Sequence, residues 1–224
     1  MAVAVDAVAG VVGNAVGSLT TGSFTISGSD RAFVLHVANA QAGITVSSTS
    51  CGGVSGTSVG ARAINGNGSM HLWYGLDPAT GSQTASVTFS DTWGTRLGLV
   101  AHTFTGTHRT TPIADYTTAT GTSTTPSLTV PNTTADDFVT DGLKASIGGA
   151  WTAGANQTRQ YFSDDRVTTS TQDGADGGAM DWTIEFSGAW AQAGCRVVAA
   201  AAAGGANPKG PLSNPLAGPF GGPI

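Results

Sequence analysis

The sequence predicts an all-β protein, an antiparallel β-sandwich of jelly-roll type, on three observations. Charged residues make up only 10% of the chain, well below the roughly 25% of an ordinary soluble domain. Lys144 and Lys209 are the only lysines and Glu185 is the only glutamate, whereas helix surfaces are usually built from such straight side chains. Short alternating apolar runs separated by Gly, Ser and Thr recur along the chain, which is typical of strands and turns.

The first strand is expected in the N-terminal stretch MAVAVDAVAGVVGNAVG. This stretch lacks the basic region of a signal peptide, and Asp6 interrupts its apolar run. We expect all strands to form one β domain over residues 1–203. The later strands are expected at SFTIS (23–27), RAFVLHVA (31–38), GITVSS (43–48), HLWYGL (71–76), TASVTFS (84–90), LGLVAHTFTG (97–106), SLTVPN (127–132), DDFVTDGLKAS (136–146), RQYFSDD (159–165), DWTIEFSG (181–188) and AWAQAGCRVVAA (189–200).

Two of the connections carry specific predictions. HLWYGL and TASVTFS flank LDPATGSQ, where Asp77 and Pro78 can open a tight turn and Gly81 can take a positive φ. This segment therefore predicts a hairpin. The low-complexity stretch TTATGTSTTP (117–126) predicts a long surface loop.

The charge and the apolar pattern argue against nucleic-acid and membrane partners. The net charge is −5, the pI is near 5.0, and the arginines are scattered, so no basic stripe is available to neutralise phosphates. No apolar run approaches the roughly 20 residues of a membrane span. No cofactor is expected.

Metal-ligating side chains lack the spacing that a metal site needs. The histidines do not form a ligand pair, and those within strands are expected to lie half-exposed on sheet faces; they are His36, His71, His102 and His108. The densest acidic group is compatible with a weak calcium site, but solvated turn carboxylates are the preferred interpretation; it comprises Asp164, Asp165, Asp173, Asp176 and Asp181. No metal site is predicted.

Nucleophilic and acid–base chemistry is also weakly indicated. GTSVG (56–60) matches the nucleophile-elbow pattern around Ser58, but no helix follows it as that motif requires. Glu185 is isolated on an alternating strand, whereas a glycosidase needs two carboxylates. Cys51 and Cys195 either pair or remain two small buried thiols, and the second interpretation is preferred. No catalytic residue is predicted.

Tryptophans offer the one indication of a ligand. Trp73, Trp182 and Trp190 lie in predicted strands, where core packing accounts for them. Trp93 and Trp151 fall in predicted loops and are therefore the candidates for exposed aromatic side chains that contact a glycan.

Residues 204–224 form a different kind of segment, an extended Pro/Gly-rich C-terminal arm. Proline removes backbone donors and favours extended conformations, and five of the nine prolines lie here. Large apolar side chains follow prolines at every fourth position; these are Leu212, Leu216, Phe220 and Ile224. Because so short an arm cannot bury them on itself, we expect them to dock on a neighbouring subunit.

Several segments together resemble a Gly/Ser/Thr-rich β-sandwich module of tailed-bacteriophage virion proteins, of the minor tail and head-decoration type. The resemblance spans roughly residues 18–200, and the arm lies outside it. It is carried by DRAFVLHV, LWYGLDPATGSQTASVTFS, AHTFTGTHRTTPI, PSLTVPNTTADDFVTD, AGANQT and AWAQAGCRVVA.

The resemblance implies a non-enzymatic virion structural protein, made in the host cytoplasm and built into a phage tail, tail tip or head. Its expected partners are capsid or tail subunits and further copies of itself. The alternative is a carbohydrate-binding module for host adhesion, with a surface glycan as the partner.

Overall fold

A computed structural model of the chain describes residues 2–41, 43–66, 68–92, 95–163 and 166–201. Within these residues the regular secondary structure consists of strands and one short 3₁₀ turn, Gly174–Asp176. The prediction of an all-β fold is therefore confirmed. All strand pairings between the named strands are antiparallel.

The strands divide into an N-terminal and a C-terminal half. The N-terminal half contains β1 (Ala4–Gly13), β2 (Ser18–Thr20), β3 (Phe24–Ile26), β4 (Ala32–Asn39), β5 (Val46–Cys51), β6 (Val54–Ser55), β7 (Thr57–Ser58), β8 (Ala63–Asn65), β9 (Gly68–Leu76), β10 (Gly81–Gln83), β11 (Ala85–Phe89) and β12 (Leu97–Thr105). The C-terminal half contains β13 (Ile113–Ser123), β14 (Ser127–Thr129), β15 (Phe138–Ala145), β16 (Trp151–Ala153), β17 (Gln157–Ser163), β18 (Val167–Asp173), β19 (Ala179–Ile184) and β20 (Gly188–Val197).

Each half is a sandwich of one large sheet and one layer of shorter strands. In the N-terminal half, inner sheet 1 has the order β1-β12-β4-β9, with β7 and β8 both pairing with β9. Outer layer 1 consists of β2-β11-β5-β6 and the pair β10-β3. In the C-terminal half, inner sheet 2 has the order β13-β20-β15-β18-β17, and outer layer 2 has the order β14-β19-β16.

The two inner sheets pack face to face, so the body has four layers. Strand β4 is buried at every position because both faces of inner sheet 1 are covered. Phe33 and Leu35 point into the core beneath outer layer 1. Val34 points the other way, into a core shared with Ala193 and Val197 of inner sheet 2. A further core, around Trp182, lies between inner sheet 2 and outer layer 2.

The two halves repeat one topology. Matching β1, β12, β4, β9 and β7 to β13, β20, β15, β18 and β17 reproduces the order of the inner sheets. The outer strands β2-β11-β5 correspond to β14-β19-β16 in the same way. Across the interface β1 contacts β17, β4 contacts β15, and β8 contacts β13. The end of inner sheet 1 that begins with β1 therefore faces the end of inner sheet 2 opposite to β13, as an approximate twofold relation between the halves requires.

Two local predictions were wrong. HLWYGL and TASVTFS do not form a hairpin, because β9 pairs with β4 in inner sheet 1 and β11 pairs with β2 and β5 in outer layer 1. The connection crosses between layers; Gly81 takes the expected positive φ of 90° but begins β10, which pairs with β3. The stretch 117–126 is no loop, since most of it forms the long strand β13.

Candidate functional site

The serine of the GTSVG motif makes an exposed contact with a histidine. Strand β7 pairs with β9 so that Ser58 is opposite Trp73, and His71 lies two residues earlier on β9. The Ser58 hydroxyl is 2.8 Å from Nε2 of His71. The motif alone did not indicate this neighbour, because the contact depends on the pairing of two strands 13 residues apart.

The hydrogen bonds of His71 run in the opposite direction to those of a catalytic triad. The Trp73 indole, which can only donate, donates its Nε1–H to Nδ1 of His71 at 3.1 Å. A neutral His71 therefore carries its proton on Nε2, which lies 3.0 Å from the Gly60 carbonyl oxygen. A triad histidine instead donates from Nδ1 and accepts the serine proton at Nε2. In this arrangement His71 cannot act as the base for Ser58.

The Ser58 hydroxyl has an acceptor of its own, the Gly60 carbonyl oxygen at 3.0 Å. Burial lowers the pKa of His71, the Gly60 carbonyl opposes this effect, and the Arg62 charge lowers the pKa further. The imidazole is therefore held neutral near pH 7 with both nitrogens engaged. These hydrogen bonds give Ser58 and His71 a local structural role.

A pair of histidines lies at the interface between the inner sheets. His36 and His102 are fully buried, so the prediction of half-exposed strand histidines was wrong for them. Their ring centroids are 4.5 Å apart. They are buried because the face of inner sheet 1 that carries them is covered by inner sheet 2.

Hydroxyl groups of inner sheet 2 bind both imidazoles. Thr140 Oγ1 lies 3.1 Å from Nε2 of His36 and 3.1 Å from Nδ1 of His102. Thr169 Oγ1 lies 2.9 Å from Nε2 of His102. Burial lowers the pKa of His36 to about 3, against a smaller opposing contribution from the Val100 backbone. Burial, and then the neighbouring His36, lower the pKa of His102 well below its usual value.

A buried carboxylate lies on the opposite face of β15. Asp141 accepts hydrogen bonds from Ser170, from the Trp182 indole at 2.8 Å and from the Gln192 amide at 2.7 Å. Burial raises the pKa of Asp141, and these hydrogen bonds oppose that effect. These side chains form a hydrogen-bonded group inside the second sandwich, and Asp141 itself has no solvent exposure.

Two open clefts lie on the surface of the described residues. One, of about 260 Å³, lies between the halves and is lined by Ala40, Gly68, Thr95, Arg96, Lys144 and Ser146. The other, of about 350 Å³, is lined by Asp30, His108, Arg109, Thr110, Ala200 and Ala201. Ala201, which lines the second cleft, is the last residue that the structure describes.

The predicted binding residues are mostly outside the described part of the chain. The arm residues Leu212, Leu216, Phe220 and Ile224 lie there, as does Trp93, so their predicted contacts stay predictions. Trp151 is described, and its predicted exposure was wrong. It begins strand β16 in outer layer 2 and is only 1% exposed, because its indole packs into the core around Trp182.

An aspartate of the acidic segment and the two cysteines have structural roles. Asp173 caps the 3₁₀ turn, where its carboxylate accepts from the Ala175 N–H at 3.0 Å. No group of three or more possible ligand side chains is placed to hold a metal ion in the described ranges. Cys51 and Cys195 are free and buried in different cores, so the preferred interpretation of two buried thiols is confirmed.

Comparison of the chain with protein-family models, curated proteins and solved structures found no match. Among the residues that the structure describes, no helix has the length and apolar character needed to span a membrane.

Proposed function

We propose that this chain is a non-enzymatic structural protein of a tailed-bacteriophage virion, a minor tail, tail-tip or head-decoration component. The observation that supports a structural role is the buried contact of His36 and His102 with Thr140 and Thr169. It uses polar side chains of both halves to join two sandwiches into one block, without access to solvent. The reversed hydrogen bonding of His71 is consistent with the same role. The choice of a virion follows from the sequence resemblance.

In this proposal the body supplies surface and the arm, residues 204–224, attaches it to capsid or tail subunits. Each of the four apolar arm side chains would gain about 1.5–3 kcal/mol on burial, before ordering costs.

Truncation after residue 205 tests the attachment. We expect the truncated body to keep its thermal midpoint and to be depleted from purified particles, as measured by quantitative mass spectrometry. A full-length chain with Leu212, Leu216, Phe220 and Ile224 changed to serine should behave like the truncation. Changing Ser213 to alanine in the same segment is the matched control. Unchanged incorporation of both the truncated and the serine-substituted chains contradicts the proposal.

Two assays address the competing functions. Ester hydrolysis by the wild-type chain that disappears in Ser58→Ala would replace the proposal with a hydrolase. Glycan-array binding that disappears in Trp93→Ala would replace it with a carbohydrate-binding module. We expect neither activity.

A further inference from the structure

Two long strands form free edges of the inner sheets. Strand β1 has ten residues and pairs with β12, and strand β13 has eleven residues and pairs with β20. No other described strand pairs with either of them. The outer side of an edge strand carries unpaired N–H and C=O groups, which form a template for another strand.

Beyond an irregular segment near its start, each edge lacks the usual protection against pairing. Each strand has a register irregularity near its start, and the only charged side chain of each strand lies there. Asp6 accepts from the Ser27 N–H at 2.9 Å, and Asp115 is paired with Arg196 at 2.8 Å. Residues 7–13 and 117–123 contain no charge and no proline, although natural edges are commonly blocked by lysine, proline or shortness.

The repeated topology makes these two edges equivalent and places them on opposite flanks. One flank consists of β1 with β17 beneath it, and the other consists of β13 facing β8. When the first flank of one copy meets the second flank of a copy that is turned over, so that its two inner sheets exchange layers, β1 meets β13 and β17 meets β8. Inner sheet 1 of one copy then continues into inner sheet 2 of the next.

We propose that the free edge of β1 pairs with the free edge of β13 of a second copy of this chain. The pairing is antiparallel, like the strand pairings within the body, and repeats from copy to copy because every copy offers one edge of each kind. This inference deepens the assembly role and rests on the proposed function. The arm is a poorer partner for these edges because its prolines lack the N–H groups that strand pairing needs.

Single lysines on the full-length chain test the pairing. Ala9→Lys places a charge on the half-buried β1 edge, and Thr120→Lys places one at an exposed position of β13. Thr183→Lys is the matched control, since Thr183 is exposed on β19, which is paired on both sides by β14 and β16. Sedimentation velocity over a concentration series measures association.

We expect the wild type and Thr183→Lys to form species of two or more copies. Each edge variant alone should associate at least about tenfold more weakly. A mixture of the two edge variants should again form dimers, because Ala9→Lys keeps a free β13 edge and Thr120→Lys keeps a free β1 edge. In the wild type, hydrogen exchange of the β1 and β13 amides should slow as concentration rises, a readout that needs no variant.

Three results would overturn the pairing. One is a wild-type chain that stays monomeric at about 0.1 mM. Another is association that neither edge lysine weakens, including the case in which only arm truncation abolishes it. The third is dimerisation of Thr120→Lys alone that is as tight as that of the wild type, which would mean that β1 pairs with β1. Failure of the proposed function is a separate outcome: edge pairing would persist in solution while arm truncation leaves particle incorporation unchanged.

Discussion

Acidification should weaken the interface between the two sandwiches through its buried histidines. The pKa of His36 is about 3 in the folded chain and 6.5 ordinarily, so the unfolded state binds the extra proton. The stability contribution is therefore complete above pH 6.5 and is lost progressively as pH falls towards 3. A pH of about 4.5 lies two units below the pKa of the unfolded imidazole. The free energy of unfolding is therefore lower there by about 2.7 kcal/mol than at neutral pH.

His102 also lowers the free energy of unfolding as the pH falls, because burial lowers its pKa as well. Asp141 acts in the opposite direction: its pKa is raised, so its contribution falls as pH rises above 3.8 and recovers on acidification. The Asp141→Asn background removes this opposing effect. In that background His36 should lower the free energy of unfolding by about 2.7 kcal/mol between pH 7 and about 4.5, and His102 should lower it further.

Urea unfolding at a series of pH values measures this. In His36→Gln, the free energy of unfolding should depend less on pH, by about 2.7 kcal/mol over the same interval. Should that variant not fold, calorimetry of Asp141→Asn unfolding in two buffers reports the proton uptake, which is expected to exceed one proton near pH 5 because both histidines contribute. Parallel pH profiles for the His36→Gln and wild-type chains, or unfolding without proton uptake, would refute the reasoning.

Two further predictions concern packing and the thiols. Gly75→Ala should destabilise the fold by about 1–3 kcal/mol, since a Cβ at Gly75 would overlap the buried Phe33 ring. Gly22→Ala, where a Cβ meets nothing within 4 Å, should change the urea midpoint little; equal effects would contradict this account. Burial raises the pKa of Cys51 to about 12 and also raises that of Cys195, so a disulfide reagent should label neither thiol at about pH 8 until the chain unfolds. Rapid labelling of the folded chain would show that the cores are open.

Much of the strand content could be predicted because it depends on local periodicity. The run RAFVLHVA, with apolar residues on both alternations, coincides closely with β4, which is covered on both faces. The exposed Thr118 and Thr120 alternate with half-buried neighbours in β13, but the small polar composition of that stretch favoured a loop. Pairing with β20 makes it a strand, and this contact joins residues far apart in the chain.

The candidate sites were harder to predict for the same reason. The contact of Ser58 with His71 requires β7 to lie beside β9, and its direction is set by the indole of Trp73. The burial of Trp151 requires outer layer 2 to cover inner sheet 2. None of these neighbours is adjacent in the sequence, so no local pattern reports them.

By itself, the sequence determined an all-β chain, the approximate positions of its strands and the location of its charges, because alternation and composition act over a few residues. Only the tertiary structure decided that the strands form four layers, that two halves repeat one topology, and that His36 and His102 are enclosed between them. The reason is that a period of two residues specifies the faces of a strand but not its partners. Partners are chosen by backbone hydrogen bonds and core packing between segments up to about a hundred residues apart.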